Sequence, residues 1–256
     1  MDVVFTSLGS PSSPSENASP SHQALLRANA LTKSYDDQLT LANIAFTVNA
    51  GEVLGIIGPN GAGKTTLLEC LAGILAADSG EIHWRGNLLP ASQRREAIFY
   101  VPDGVRPYQD QLVSQVLSFF ADAYDRSDSD VAATIAAVGL RPVLRKRVYA
   151  LSKGFNRRLL LALGLLTPHE LLLMDEPFDG FDLRQTREIA GVVRAEAAKG
   201  RTLLLAIHQL IDAERICDRF MLLSDGRVRG IGTLGDLRVR TSLPAGSLED
   251  IFLALT

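Results

Sequence analysis

No run of this chain supplies the about 20 unbroken apolar residues that a membrane span requires. The most apolar tract, Leu159 to Met174, is interrupted by Pro168, His169 and Glu170. Any contact with a bilayer is therefore expected to go through another protein. Cysteine is scarce: Cys70 and Cys217 lie far apart in apolar periodic segments and read most simply as reduced core residues of a cytosolic protein. Charge of one sign is lacking too. With 26 basic against 29 acidic residues the net charge is −3, so the global electrostatics call for no nucleic-acid partner. The basic cluster Arg141, Arg145, Lys146 and Arg147 is short, lacks interleaved aromatics and reads as a solvated face. The first residues, Met1 and Asp2, open no basic region of a secretory leader. Residues 1–22 are Ser/Pro-rich, carry too little apolar surface to offset the entropy of ordering, and are expected to be a disordered tail. No repeat at solenoid periods is visible.

What is present is a chain of 256 residues, 46% hydrophobic, able to bury a sizeable core as one large domain or two small lobes. It is organised around Gly58 Pro59 Asn60 Gly61 Ala62 Gly63 Lys64 Thr65, which follows the apolar run Val53 to Ile57 and precedes a helical pattern through Thr66, Leu67, Leu68 and Leu71. This is G-x-x-x-x-G-K-[ST] between a strand and a helix. Its glycines permit positive φ, so successive N–H groups can turn inward around phosphate oxygens at a helix start whose dipole also favours anions. Lys64 is placed to reach the β- and γ-phosphates, and the Thr65 hydroxyl to ligate Mg²⁺. The rest of the chain is therefore read as serving a bound nucleoside triphosphate.

Strand-like and helical patterns alternate along the remaining sequence. Strands are expected from Ala24, at Thr40–Val48, Glu81–Trp84, Ala97–Val101, Glu170–Glu176, Thr202–Ile207, Phe220–Ser224 and Val228–Ile231. Tyr35 falls in the loop between the first two, where it could stack on a base or simply be a half-buried loop residue. Helical spacing through Leu112, Val116, Phe120 and Tyr124, then Val131, Ile135 and Val138 before Gly139, points to a helical insert over about 104–167. Further helices are expected at Leu183–Lys199, Leu210–Cys217 and Ser247–Leu255. The alternation argues an α/β fold with a mostly parallel sheet, whose ligands gather beyond the carboxyl ends of the strands. Lys64, Glu176 and His208 all lie just beyond such ends. Asp175 reads as a direct or water-mediated Mg²⁺ partner opposite Thr65, and Glu176 as the carboxylate that orients or deprotonates the attacking water.

These residues together resemble the ATP-binding subunit of an ATP-binding cassette (ABC) transporter. Leu171 to Glu176 resembles Walker B with its glutamate, and Leu151 Ser152 Lys153 Gly154 Phe155 Asn156 Arg157 Arg158 resembles the signature L-S-G-G-Q-x-Q-R. The resemblance covers about residues 24–240 and leaves 241–256 as a C-terminal extension. It implies a P-loop NTPase (RecA-like) core, an antiparallel β subdomain and the helical insert. It implies that Tyr35 stacks on adenine, that Asp182 is the D-loop aspartate, that His208 contacts the γ-phosphate, and that Ser152, Lys153 and Gly154 act on the ATP of the opposite subunit. ATP and Mg²⁺ are the implied cofactors. The implied partners are an integral-membrane permease and a second ATP-binding subunit, identical or related, at the cytoplasmic face of the membrane.

Two places depart from the family pattern. Lys153 and Phe155 replace glycine and glutamine in the signature, and in the segment Tyr100 Val101 Pro102 Asp103, which occupies the Q-loop position, Asp103 stands where glutamine is usual. A carboxylate there could bind Mg²⁺ or repel the γ-phosphate. The closing Leu248 to Leu253 resembles a segment of ABC-2 type exporter cassettes and favours export. The alternatives are a soluble ABC-type ATPase acting on ribosomes or DNA, which the single cassette and slightly acidic charge oppose, and a small-molecule kinase, which would lack Leu151 to Gly154 and His208.

Overall fold

Three segments that are apolar at nearly every position suit strands covered on both faces, and they lie side by side in the computed structural model, which describes residues 24–256. The tail expected at 1–22 lies outside the described residues. Among those residues the chain runs through β1 (Ala24–Tyr35), β2 (Gln38–Asn49), β3 (Val53–Ile57), α1 (Lys64–Ala72), β4 (Ser79–Trp84) and β5 (Asn87–Leu88). A short α2 (Arg94–Ala97) leads into β6 (Ile98–Val101), followed by α3 (Val113–Ala123), α4 (Asp128–Val138) and α5 (Lys153–Leu166). Then come β7 (Leu171–Asp175), α6 (Leu183–Ala198), β8 (Thr202–Ile207), α7 (Leu210–Ile216), β9 (Arg219–Ser224), β10 (Arg227–Gly232), α8 (Leu234–Thr241) and α9 (Leu248–Leu255).

The strands make two sheets. A four-stranded antiparallel sheet has the order β2-β1-β4-β5, and a six-stranded mixed sheet the order β10-β9-β3-β8-β7-β6. In the latter, β9, β3, β8, β7 and β6 are parallel, and β10 is an antiparallel edge strand. Side chains alternate between faces along a strand, so each parallel strand feeds two cores. Val53, Ile57, Leu172, Met174, Leu203 and Leu205 join the insert's Val116, Leu117 and Leu161 in one. Leu54, Ile56, Leu171, Leu173, Leu204 and Ala206 join α1's Leu67, Leu68 and Leu71 and the hairpin's Leu26 and Ile44 in the other. The register pairs Ile57 with Ile207 and Asp175 with Ala206, so β3, β8 and β7 end level.

Local chemistry sets the helix ends. Ser152 caps α5 by accepting from the Phe155 N–H at 3.4 Å, Asp182 caps α6 by accepting from the Gln185 N–H at 2.8 Å, and Gly139 ends α4 in the left-handed conformation at φ 72°. Some details differ from the sequence reading, which has no counterpart of the short β5 and α2. Tyr35 is the last residue of β1, because the chain reverses in a tight Asp36–Asp37 turn with Asp36 at φ 48°, and no longer loop is present. Helix α8 is a further element with no counterpart in the sequence pattern, since it buries only Leu237 and so has almost no apolar stripe to read. Helix α9 places Leu248 and Ile251 in the same buried cluster as Leu237. No described helix is long and apolar enough to cross a membrane.

Leu204 lies at the middle of the central strand β8 and is fully buried, whereas Val239 on α8 is 82% exposed. Leu204→Ala is expected to cost about 2–5 kcal/mol in a denaturant melt, and Val239→Ala to stay within about 0.5 kcal/mol of wild type.

Candidate nucleotide site

The loop from Gly58 to Thr65 joins the end of β3 to the start of α1. Gly61 and Gly63 have φ of 83° and 100°, values that side chains strongly disfavour. At Gly63 space is short as well: a Cβ there would stand 2.9 Å from the carbonyl oxygen of Thr40 in β2. With Gly63 at its N-cap, α1 leaves its first N–H groups free of any side-chain cap, so they are available to an anion.

Lys64 is buried, and its Nζ donates to the carbonyl oxygens of Gly58 at 2.8 Å and Pro59 at 3.2 Å, with a Glu176 carboxylate oxygen at 3.8 Å. Thr65 Oγ1 donates to Asp175 Oδ2 at 2.6 Å, joining the first turn of α1 to the end of β7. Burial raises the Asp175 carboxyl above its ordinary value, the Thr65 hydroxyl opposes that shift, and the charges of Glu176 and Asp103 add to it. Glu176 holds a strained φ of 49°, its N–H donates to the Ala206 carbonyl at 3.1 Å, and its carboxylate bonds to His208 Nδ1.

Apart from His208, which is not among its lining residues, these groups open on one cleft of about 500 Å³. Pro59, Asn60, Gly61, Gly63, Lys64, Thr65 and Thr66 line it on the loop side, with Asp175, Glu176 and Asp103 opposite. Tyr100 and Pro102, from the segment that occupies the Q-loop position, line it too, as do two residues that the sequence did not single out, Thr40 and Glu69. The Tyr100 hydroxyl is buried without a partner, and burial together with the carboxylates of Asp175, Glu69 and Asp103 pushes its pKa up.

Other candidates fall elsewhere. Tyr35 is about half exposed, has the Lys33 ammonium 5.8 Å from its ring centre, and is not among the residues lining the cleft. Ser152, Lys153 and Gly154 line a separate cavity of about 470 Å³ with Gly180, Gln185 and Glu188. Asp182 is occupied as the cap of α6. Asp103 lines the cleft, but its carboxylate forms an ion pair with Arg157 on α5. Lys153 pairs with Asp179 at 2.5 Å, and this bond chiefly holds the Asp179 carboxyl below its ordinary value.

The donor set fits a hard cation. A threonine hydroxyl and a buried carboxylate meet at the edge of a cleft that the phosphate loop lines, and no group of three or more His, Cys, Asp or Glu among the described residues forms a complete metal cage. That is the pattern expected of Mg²⁺, which takes few protein ligands and completes its shell with water and substrate phosphates.

The sequence profile of the ABC transporter family matches residues 41–179. Over 216 residues the chain is 30% identical to an ABC transporter ATP-binding protein of Methanocaldococcus jannaschii, covering 83% of this chain and 79% of that one. It is 34% identical over 215 residues to the Nod factor export ATP-binding protein I of Rhizobium etli, covering 81% and 67%. It is 28% identical over 239 residues to the ABC-type transporter ATP-binding protein EcsA of Bacillus subtilis, covering 91% and 97%. Among solved structures, an ATP-binding subunit of an ABC transporter superposes with a TM-score of 0.81 at 31% identity, covering 90% of this chain and 99% of that one.

Thr65→Val keeps the side-chain volume but leaves Asp175 buried without its donor, and should cost about 1–3 kcal/mol near neutral pH. The hydroxyl favours the ionised carboxyl, so the loss should shrink as pH falls and Asp175 protonates. Urea unfolding of the two proteins at neutral and acid pH checks both statements.

Proposed function

The chain belongs to the ABC transporter family as an ATP-binding subunit with ATPase activity, and from that premise we propose that it energises a separate membrane permease, in the direction of export. The observation that carries the site assignment is the convergence of the Gly58–Thr65 loop, Asp175 and Glu176 on one cleft, joined by the Thr65–Asp175 hydrogen bond.

In this reading the N–H groups of the loop and the Lys64 ammonium cradle the triphosphate, replacing the carbonyl contacts that Lys64 now makes. Thr65 and Asp175 would hold Mg²⁺, which supplies charge neutralisation at the phosphates. Glu176 acts as the base or orienting group for the attacking water, and His208, bonded to its carboxylate, holds it in place and reaches the γ-phosphate. Ser152, Lys153 and Gly154 would close on the nucleotide of a second ATP-binding subunit, identical or related, with Asp182 at the same interface and Tyr35 stacking on the base.

Export is supported by the relatives that act in Nod factor export. A membrane partner is supported by the exposed rings of Tyr108 and Phe119, whose centres lie 5.4 Å apart, and by Tyr149, also exposed. These aromatics sit on the helical insert, and Tyr108 lies a few residues along the chain from Asp103 in the cleft. We assign the subunit to the cytoplasmic face of the membrane, held there by its permease.

Glu176→Gln should retain ATP binding and lose turnover by about 10²–10⁴-fold. Lys64→Ala should weaken nucleotide affinity, measured by isothermal titration. Unchanged turnover in the first or unchanged affinity in the second would refute these roles. Affinity purification of the tagged chain from membranes in mild detergent is expected to yield a polytopic membrane protein in stoichiometric amount. Chain that stays free in the cytosol or sediments with ribosomes would refute the permease.

A further inference from the structure

Arg157 carries a guanidinium into the protein interior, its side chain only 4% exposed. A buried cation must be matched by anions, and two are at hand: Asp103, in direct ion pair, and Asp179, 3.7 Å away. The neighbouring Asn156 donates from Nδ2 to the Val105 carbonyl at 2.8 Å. One turn of α5 therefore grips the loop after β6 at two points, through a charge pair at 103 and a hydrogen bond at 105. Asp179, in the loop after β7, is in turn held by Lys153 at 2.5 Å from the first turn of the same helix.

Against the signature pattern, Arg157 stands where the second glutamine would be, and Asp103 stands where a glutamine is usual. Two amides have given way to two opposite charges, and the structure brings those charges together. We propose that Asp103 and Arg157 are a positioning pair, a charged latch that ties the cleft loop to the start of α5 and neutralises the Asp103 carboxylate beside the triphosphate site. Asp103 then serves as the counter-charge of Arg157 and is no ligand of Mg²⁺. Asp103 lines the cleft, and Ser152, Lys153 and Gly154 at the start of α5 line the other cavity, so the latch joins the walls of the two.

The inference rests on the nucleotide lying along Gly58–Thr65, and the test separates the two. Affinity for Mg·ATP under non-hydrolysing conditions is measured on the full chain for wild type, Asp103→Gln, Arg157→Gln, the double variant, Arg157→Lys and, as control, Lys64→Ala. Arg157→Gln leaves an uncompensated carboxylate facing the phosphates and should weaken binding about tenfold. Adding Asp103→Gln should restore it to within about twofold of wild type, and Arg157→Lys, which keeps the charge, should retain most of the affinity. Asp103→Gln alone should bind no more weakly than wild type.

Strictly additive effects in the cycle would overturn the latch. So would an Asp103→Gln protein that binds ATP normally without Mg²⁺ but weakly with it, since that behaviour identifies a metal ligand. If Arg157→Gln does not fold, Asp103→Gln at its half-exposed loop position carries the test. In nucleotide-free and Mg²⁺-free protein its amide exchange over 103–105 and 153–157 should rise at least severalfold, and unchanged exchange would overturn the proposal. If Lys64→Ala binds as wild type does, the nucleotide assignment itself falls. If it binds weakly while the cycle is additive, only the latch falls.

Discussion

Lys64 and Asp175 bring opposite charges to a place that water barely reaches, 7% and 3% exposed, and the surrounding structure is arranged so that neither is left without a partner. Desolvation costs several kcal/mol for each ion even after relaxation. Lys64 answers it with two loop carbonyls and the nearby Glu176, and Asp175 with the Thr65 hydroxyl. These contacts require β3 and β7 to end at the same level with β8 between them. The parallel register supplies that, and a slip of one residue in β7 would turn Asp175 to the opposite face. The site therefore depends on strand register, and strand register depends on the two apolar cores that the alternating faces fill.

The antiparallel sheet is tied to the same place through Thr40. Its carbonyl oxygen sits where a Cβ on Gly63 would need room, and on Gly226, at the β9–β10 turn, a side chain would meet the same atom. The Ala42 N–H donates to the Gly226 carbonyl at 2.8 Å, closing the contact. Two glycines from distant parts of the chain thus let one backbone segment approach both the phosphate loop and the edge of the main sheet. The Thr40 side of the cleft is built by that approach, and the family's separate β subdomain becomes one wall of the nucleotide site.

Strain and charge are concentrated on the opposite wall. Glu176 keeps a left-handed backbone conformation although it is not glycine, and the Ala206 carbonyl and His208 hold it there. Such a conformation costs of order 1–3 kcal/mol and persists only where neighbours over-determine it. Beyond it, Arg157 and Lys153 alternate with Asp103 and Asp179, so the loops after β6 and β7 meet at the start of α5 in a network of two cations and two anions. The cleft and the beginning of the helical insert's last helix are joined by charge as well as by chain.

Local pattern was enough for much of this protein. The continuous apolar runs gave away the buried parallel strands, because a strand covered on both faces has no polar side to show. The sequence Gly58 to Thr65, and Asp175 with Glu176 after an apolar strand, announced the phosphate loop and its carboxylates, because each is a contiguous motif whose geometry is local. Tertiary structure alone decided which side chains meet. Asp103 finds Arg157 across 54 positions, Thr40 enters the cleft from a strand that carries no motif, and Tyr35, at a tight turn, stands outside the cleft lining. Periodicity reports which face of an element is covered and where it ends; the partner of a charge at that end is set by packing between elements far apart in the chain, which no local pattern encodes.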